Sequence, residues 1–140
     1  MAVGNTFGAT ALSSYGGFWL AYGTLFHPYF NIFNSLHTVD GAPVAAYTVA
    51  ERYSAVGFFL TGWFIFTTLL LLCTLKSTVM FFFLFFTLDL AFLFLACENY
   101  AAANGNATAQ VALQKTGGVF GMLAAFLAWY NALAGIQDNS

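Results

Sequence analysis

One acidic residue stands inside an otherwise uncharged apolar stretch and is the side chain best placed to do chemistry. Asp89 lies in FFTLDLAFLF, near the middle of a segment long enough to cross a bilayer. Because an aspartate at the centre of a bilayer costs about 2.5 to 3.5 kcal/mol, we expect Asp89 to face other helices instead of lipid. An unpaired carboxyl group there could carry a proton or contact a substrate, whereas a hydrogen-bonded one would tie two helices together. The sequence leaves both roles open.

A second group of polar residues lies in the segment TFGATALSSYGGFWLAYGTLFHP, from Thr6 to Pro28. At about 3.6 residues per turn, one face of this helix is small and polar and the other is broad and aromatic. The polar face holds Ser13, Gly16, Gly17, Thr24 and His27, and the aromatic face holds Tyr15, Phe18, Trp19, Tyr22 and Phe26. Hydroxyl groups at membrane depth need protein or water partners, and small residues such as Gly16 and Gly17 allow close helix packing. The pattern therefore predicts a helix inside a bundle, bordering a conduit.

The remaining polar residues do not have the types or the spacing of an enzyme or a metal site. His27 and His37 lack neighbouring cysteines or carboxylates at metal-ligand spacing. The sequence has no serine, histidine and acid constellation, no phosphate-binding glycine loop and no paired catalytic carboxylates. We expect no metal, no cofactor and no enzymatic activity.

The composition is that of an integral membrane protein. Of 140 residues, 61% are hydrophobic, 20% are aromatic and 6% are charged, whereas about a quarter are charged in soluble domains. A formal net charge of -2 offers no basic stripe for nucleic acid. Four stretches approach the roughly 20 residues that cross a hydrocarbon core of about 30 Å. We predict one all-α membrane domain over 1–140, with transmembrane helices at about 7–26, 53–75, 79–97 and 117–136 and polar loops at 27–52 and 98–116.

The connections between these spans predict the orientation. Only residues 76–78 separate the second and third spans, which indicates a tight antiparallel hairpin. Four crossings place both termini on the same side of the membrane as Lys76. The positive-inside rule favours a cytoplasmic location for Lys76 and the termini, although Arg52 and Lys115 lie on the opposite side and weaken this signal. The triplet that begins at Asn106 would then face outward as a glycosylation acceptor, although such triplets are also frequent by chance.

The fourth span carries a stripe of small residues at spacings of three and four. Its members are Gly117, Gly121, Ala125, Ala128, Ala132 and Gly135. The first pair forms a GxxxG pattern, which lets a second helix approach closely, within the protomer or across a subunit boundary. Close helix packing is the expected role, with a ligand passage as the alternative.

Three long blocks of the sequence resemble a known family. They are GNTFGATALSSYGGFW, FIFTTLLLLCTLKSTVMFFFLFFTLDLAFLFLA and TGGVFGMLAAFLAWYNALAG, which together cover nearly the whole chain. They are similar to the acetate uptake transporter family, particularly its fungal ammonia and acetate permeases. The resemblance implies a carrier or channel, hexameric in the plasma membrane, that moves acetate and other short monocarboxylates with protons.

The resemblance also implies an apolar constriction and the residues that form it. The tyrosine of its SYG motif looks like Tyr15, and the leucine of a later helix looks like Leu88, which directly precedes Asp89. A dry neck rejects hydrated ions, because stripping water from a carboxylate is costly, but admits a substrate neutralised by a proton or by hydrogen-bond donors. We expect Tyr15 to offer its hydroxyl, Leu88 to narrow the path, and Ser13 or Ser14 to add polar contacts.

The chain departs from the family pattern at its beginning. Family members have six spans and an NPxPLGLxxF-like motif in the first, whereas this chain has no Asn-Pro pair and starts at what resembles the third span. We expect a truncated member that lacks the first two helices, which could leave it inactive. Two alternatives remain: a channel for ammonium or neutral solutes, and a helix-packing membrane protein that transports nothing.

Overall fold

The structure of the chain is a computed structural model that describes residues 6–33, 36–40, 42–45 and 47–137. It consists of two compact units, Met1–Thr48 and Val49–Ser140. For three strand residues, His37, Thr38 and Pro43, the structure describes the backbone only.

The first unit combines one helix with a small β-hairpin. Helix α1 covers Thr6–Phe26, and strands β1 (Leu36–Val39) and β2 (Ala42–Ala45) pair in antiparallel register. Asp40, at the turn, has a φ of 53°, a left-handed conformation that aspartate tolerates and that tight hairpin turns require. The predicted polar loop 27–52 therefore contains regular structure, which the Asp-Gly pair after β1 could have signalled.

The second unit is a run of three long helices. Helix α2 covers Val49–Cys73 and continues into a short 3-10 turn, Thr74–Lys76; α3 covers Val79–Ala103 and α4 covers Ala107–Gln137. Helix α3 packs against both α2 and α4 and is the central helix of this unit. The tight antiparallel connection predicted between the second and third spans is present, since only residues 77 and 78 separate the turn from α3.

The helices extend beyond the predicted membrane spans. The region 98–116, predicted as a polar loop, is helical except for residues 104–106, because its alanines and glutamines are good helix formers outside lipid as well as inside it. The turn is closed by Gly105, which has a φ of 72°. The Oδ1 atom of Asn106 accepts a hydrogen bond from the Ala109 amide at 3.1 Å and so caps α4.

Glycine at two positions allows the helices of this unit to approach closely. A Cβ atom added to Gly57 of α2 would lie 2.8 Å from Cε1 of Tyr100, and one added to Gly117 of α4 would lie 2.9 Å from Cγ of Leu95. The rings of Phe94 and Phe120 stack between α3 and α4, with centroids 5.5 Å apart. The α3 helix is therefore held by close packing on two sides.

Among the described residues, three helices are long and apolar enough to cross a membrane: α2 with its 3-10 turn, α3 and α4. Helix α1, which the sequence also predicts to cross the bilayer, is 21 residues long. A helix satisfies its backbone amides within itself, which any segment in hydrocarbon must do.

Candidate functional site

The buried carboxyl group of Asp89 lies at the contact between α2 and α3. Its Oδ1 atom is 2.9 Å from Oγ1 of Thr68 in α2, which is within hydrogen-bond distance. The same Thr68 oxygen is 3.0 Å from the carbonyl oxygen of Phe64, one turn earlier in α2. Asp89 therefore faces a neighbouring helix, as the sequence predicts, and has a side-chain partner there.

The two neighbours of Asp89 that could affect a pathway are placed differently. Leu88 is half-buried, and consecutive helical residues are about 100° apart, so its side chain leaves the helix in another direction. Thr87 is buried, and its hydroxyl donates to the carbonyl of Phe83 at 2.8 Å. Leu88 is thus partly accessible, whereas Thr87 and Asp89 beside it are buried.

A second pair of polar side chains joins α2 to α3, about two turns from Thr68 along α2. The hydroxyl groups of Thr61 and Tyr100 are 2.9 Å apart. Thr61 Oγ1 also lies 2.8 Å from the carbonyl oxygen of Gly57. The absent side chain of Gly57 leaves room for the Tyr100 ring beside this bond. Sequence reasoning missed this pair, because neither residue stands out by its type or its spacing.

The candidate residues of α1 lie in the first unit. Ser13 is exposed, and its Oγ donates to the carbonyl of Ala9 at 2.7 Å, while Ser14 and Tyr15 are half-buried. Gly16 and Gly17 are exposed, and an added Cβ at either would meet nothing within 4 Å. Asp89 and Thr68 are brought together within the second unit, whereas the α1 residues are placed only within their own.

The small-residue stripe of α4 is divided by the structure. Gly117 is buried against α3 and Gly121 is half-buried, but Ala125 and Ala128 are exposed. All six residues stay within about 80° of one another around the helix axis, so they share one face, but only the first part of that face is covered by α3. Of the three glycines in the stripe, Gly117 is the one at which an added Cβ atom would have a neighbour within 4 Å.

A buried carboxylate near the end of α3 and the beginning of α4 was not singled out in the sequence. Glu98 is 7% exposed; its Oε2 accepts from Nδ2 of Asn99 at 2.9 Å and its Oε1 accepts from Nε2 of Gln110 at 3.2 Å. A carboxylate that accepts two amide hydrogen bonds is a stable tie between helices. The sequence analysis overlooked Glu98 because it ended the third span at residue 97 and assigned Glu98 to a loop, whereas α3 continues to Ala103.

In the described parts of the chain, no group of three or more histidine, cysteine, aspartate or glutamate side chains is arranged to hold a metal ion. The acidic residues of α3 instead make hydrogen bonds to hydroxyl and amide groups on the neighbouring helices. The chemistry shown here is hydrogen bonding between helices.

Long apolar helices whose polar side chains are turned toward one another define an all-α integral membrane protein, and the predicted fold class of four helices is confirmed. Within that class, the chain belongs to the GPR1/FUN34/yaaH family, whose sequence profile matches residues 1–140. The resemblance drawn from the three sequence blocks is therefore confirmed.

Individual relatives are similar over nearly the full chain. Acetate permease A of Emericella nidulans is 55% identical over 141 residues, which is 100% of this chain and 45% of that protein. Ammonia transport outward protein 2 of Saccharomyces cerevisiae is 43% identical over 139 residues, covering 99% of this chain and 44% of the relative. The chain spans less than half the length of these curated relatives.

A solved structure is also similar. The bacterial acetate channel SatP is 32% identical, with a TM-score of 0.64, and the match covers 93% of this chain and 62% of the channel. The relatives are named as permeases, transporters or a channel, in agreement with the expectation that this chain is not an enzyme.

Proposed function

We propose that this chain forms part of a membrane pathway for acetate or other short monocarboxylates, which move together with protons. The family match over residues 1–140, with relatives named an acetate permease and an acetate channel, is the observation that carries the proposal. The apolar helices with inward polar groups support it physically, because such a bundle can hold a narrow pathway shielded from lipid.

The proposed pathway uses a dry neck for selection. Tyr15 presents a hydroxyl that can donate to a carboxylate, Leu88 narrows the neck, and Ser13 and Ser14 provide further polar contacts. The partly accessible side chains of Tyr15 and Leu88 support these roles. A weak acid crosses such a neck more readily than a hydrated ion, because protonation removes the charge that is costly to desolvate.

We place the protein in the plasma membrane, with cytoplasmic termini and as a homo-oligomer, hexameric by analogy with its family. An outward turn at Asn106 fits this orientation; Asn106 and Thr108 are exposed there, so the turn is accessible to glycosylation. Assembly would also provide neighbouring helices for this chain to pack against, since it spans less than half the length of acetate permease A.

A second candidate function is passage of ammonia. The yeast relatives that are 43% and 36% identical are both named ammonia transport outward proteins. A neutral ammonia molecule would also pass an apolar neck without a large desolvation cost.

Reconstitution of the chain into liposomes tests the proposed function. We expect uptake of labelled acetate that increases with an inward proton gradient, and that falls at least several-fold in Tyr15→Ala and Leu88→Ala. Tyr15→Phe removes the hydroxyl and keeps the ring, so it tests the contribution of the hydroxyl alone. Leu69→Ala is the matched control for Leu88→Ala; Leu69 lies at an exposed position of α2, and this variant should retain uptake. Ammonia permeation without acetate flux would favour the second candidate. Uptake, selectivity and pH dependence unchanged in both alanine variants would remove the assignment of the neck.

A further inference from the structure

Two pairs of side chains, Thr61 with Tyr100 and Thr68 with Asp89, join α2 to α3 in the same arrangement. In each, a threonine of α2 lies within hydrogen-bond distance of a carbonyl in its own helix and of a polar oxygen from α3. Thr61 and Thr68 are about two turns apart on α2, and Tyr100 and Asp89 are about three turns apart on α3, so each pair of residues shares one helical face. Asp89 therefore occupies the place toward Thr68 that Tyr100 occupies toward Thr61.

Counting hydrogens distinguishes the possible states of these pairs. A threonine hydroxyl has one hydrogen and donates one hydrogen bond. When Thr61 donates to the Gly57 carbonyl, the Tyr100 hydroxyl supplies the hydrogen for the second contact, at 2.9 Å. Both contacts of Thr61 then contain a hydrogen.

The same count at Thr68 distinguishes a charged Asp89 from a neutral one. Thr68 Oγ1 has oxygen neighbours at 3.0 Å in Phe64 and at 2.9 Å in Asp89. An ionised carboxylate can only accept, so with Asp89 charged one of these two contacts would lack a hydrogen. A neutral carboxyl group provides it: Asp89 donates to Thr68, and Thr68 donates to Phe64.

Among the described residues of the second unit, no charged side chain forms an ion pair with Asp89. Helix α2 carries no charged residue between Ser54 and Leu75, and its ionisable residue there is Cys73. On α3, Glu98 is turned toward Gln110 of α4. Helix α4, over Ala107–Gln137, has one charged residue, Lys115, and it is exposed.

We propose that Asp89 is held as a neutral carboxylic acid that donates a hydrogen bond to Thr68, and that it is a positioning residue for the α2–α3 contact. It holds its proton while the protein works and does not pass it to a substrate. Its effect on the pathway is indirect: it sets the rotation of α3 and so the direction of the adjacent Leu88. That last effect rests on the proposed function, whereas the protonation state does not.

Infrared spectroscopy of the protein in lipid at neutral pH tests the protonation state without any transport assay. We expect a carbonyl band of a protonated carboxyl group that shifts in D2O, that is lost in Asp89→Asn, and that remains in the matched variant Glu98→Gln. In Thr68→Val the band should persist at a different frequency, because the acceptor of the proton is gone. Absence of the band in the wild-type protein, or its survival in Asp89→Asn, would overturn the proposal.

Stability and the pH profile of uptake test the positioning role. Asparagine keeps a donor at the same place, so Asp89→Asn should match the wild-type protein in thermal stability and in the pH dependence of acetate uptake. Asp89→Leu and Thr68→Val should lower the unfolding temperature, as Tyr100→Phe should at the other pair. A protein that folds poorly as Asp89→Asn, or that loses its pH dependence there, contradicts the proposal. Absence of acetate uptake in the wild-type protein would instead refute the proposed function and leave the infrared result standing.

Discussion

At the scale of single residues, the α2–α3 contact depends on a side chain that is missing. Gly57 is buried, and the ring of Tyr100 occupies the space where a Cβ atom would be. The ring cannot turn aside freely, because its hydroxyl is hydrogen-bonded to Thr61 at 2.9 Å. A methyl group at this position would therefore separate the helices or break the bond.

We predict that Gly57→Ala destabilises the protein by about 1 to 3 kcal/mol, the usual cost of overpacking a close contact. The matched control is Gly62→Ala in the same helix, where an added Cβ meets nothing within 4 Å; it should be neutral or gain up to about 1 kcal/mol from helix propensity. Thermal unfolding in detergent micelles measures both variants. Equal unfolding temperatures for the two would show that the ring yields without loss.

At the scale of elements, α3 and α4 are joined near both of their ends by amide side chains of α4. Gln110 donates to Glu98 at 3.2 Å, and Asn131 donates to the carbonyl of Met80 at 3.4 Å. Between these ties, Gly117 lets the helices approach at Leu95. The Gln110 bond matters more than its length suggests, because its acceptor is a buried carboxylate.

We expect Gln110→Leu to lower the stability of the α3–α4 pair by about 1 to 3 kcal/mol, since it leaves a buried oxygen of Glu98 without that donor. Gln114→Leu, at an exposed position one turn further along α4, is the control and should change stability little. Hydrogen exchange of the amides in 98–116 reports the local effect. If exchange in that region is as slow in Gln110→Leu as in Gln114→Leu, the bond does not hold the helix ends together.

At the scale of the whole molecule, α4 has a face that α3 does not cover. Ala125 and Ala128 are exposed although they continue the stripe that begins at buried Gly117. Small residues at a lipid-facing position permit close approach by another helix. This arrangement fits the proposed homo-oligomer, in which a neighbouring subunit would pack against the later part of the stripe.

We predict that Ala128→Phe reduces the oligomer population several-fold while the subunit keeps its helical content. Val119→Phe, which is also exposed but lies on the opposite side of α4, should leave assembly unchanged. Native mass spectrometry from lipid nanodiscs gives the oligomer distribution, and circular dichroism gives the helical content. An unchanged distribution in Ala128→Phe would place the subunit contact elsewhere.

Much of the fold was predictable because a bilayer limits the possibilities severely. Apolar segments of about 20 residues must be helices, and a connection as short as 76–78 makes the helices it joins antiparallel. The cost of a charge in lipid also predicted that Asp89 is buried against another helix. The boundaries were less predictable, because a helix does not have to end where its apolar run ends, and α3 continues through Glu98 to Ala103.

The partners of these residues came only from tertiary packing. Helical periodicity assigns side chains to a face but does not say which helix meets that face, or at what height. Nothing in the spacing of Asp89 selects Thr68, and the six small residues of α4 look equivalent until packing separates Gly117 from Ala128. Segment length and polarity decided that the chain is built of membrane helices, whereas helix register decided which polar groups form hydrogen bonds, because hydrogen bonds act over about 3 Å and require atoms to meet.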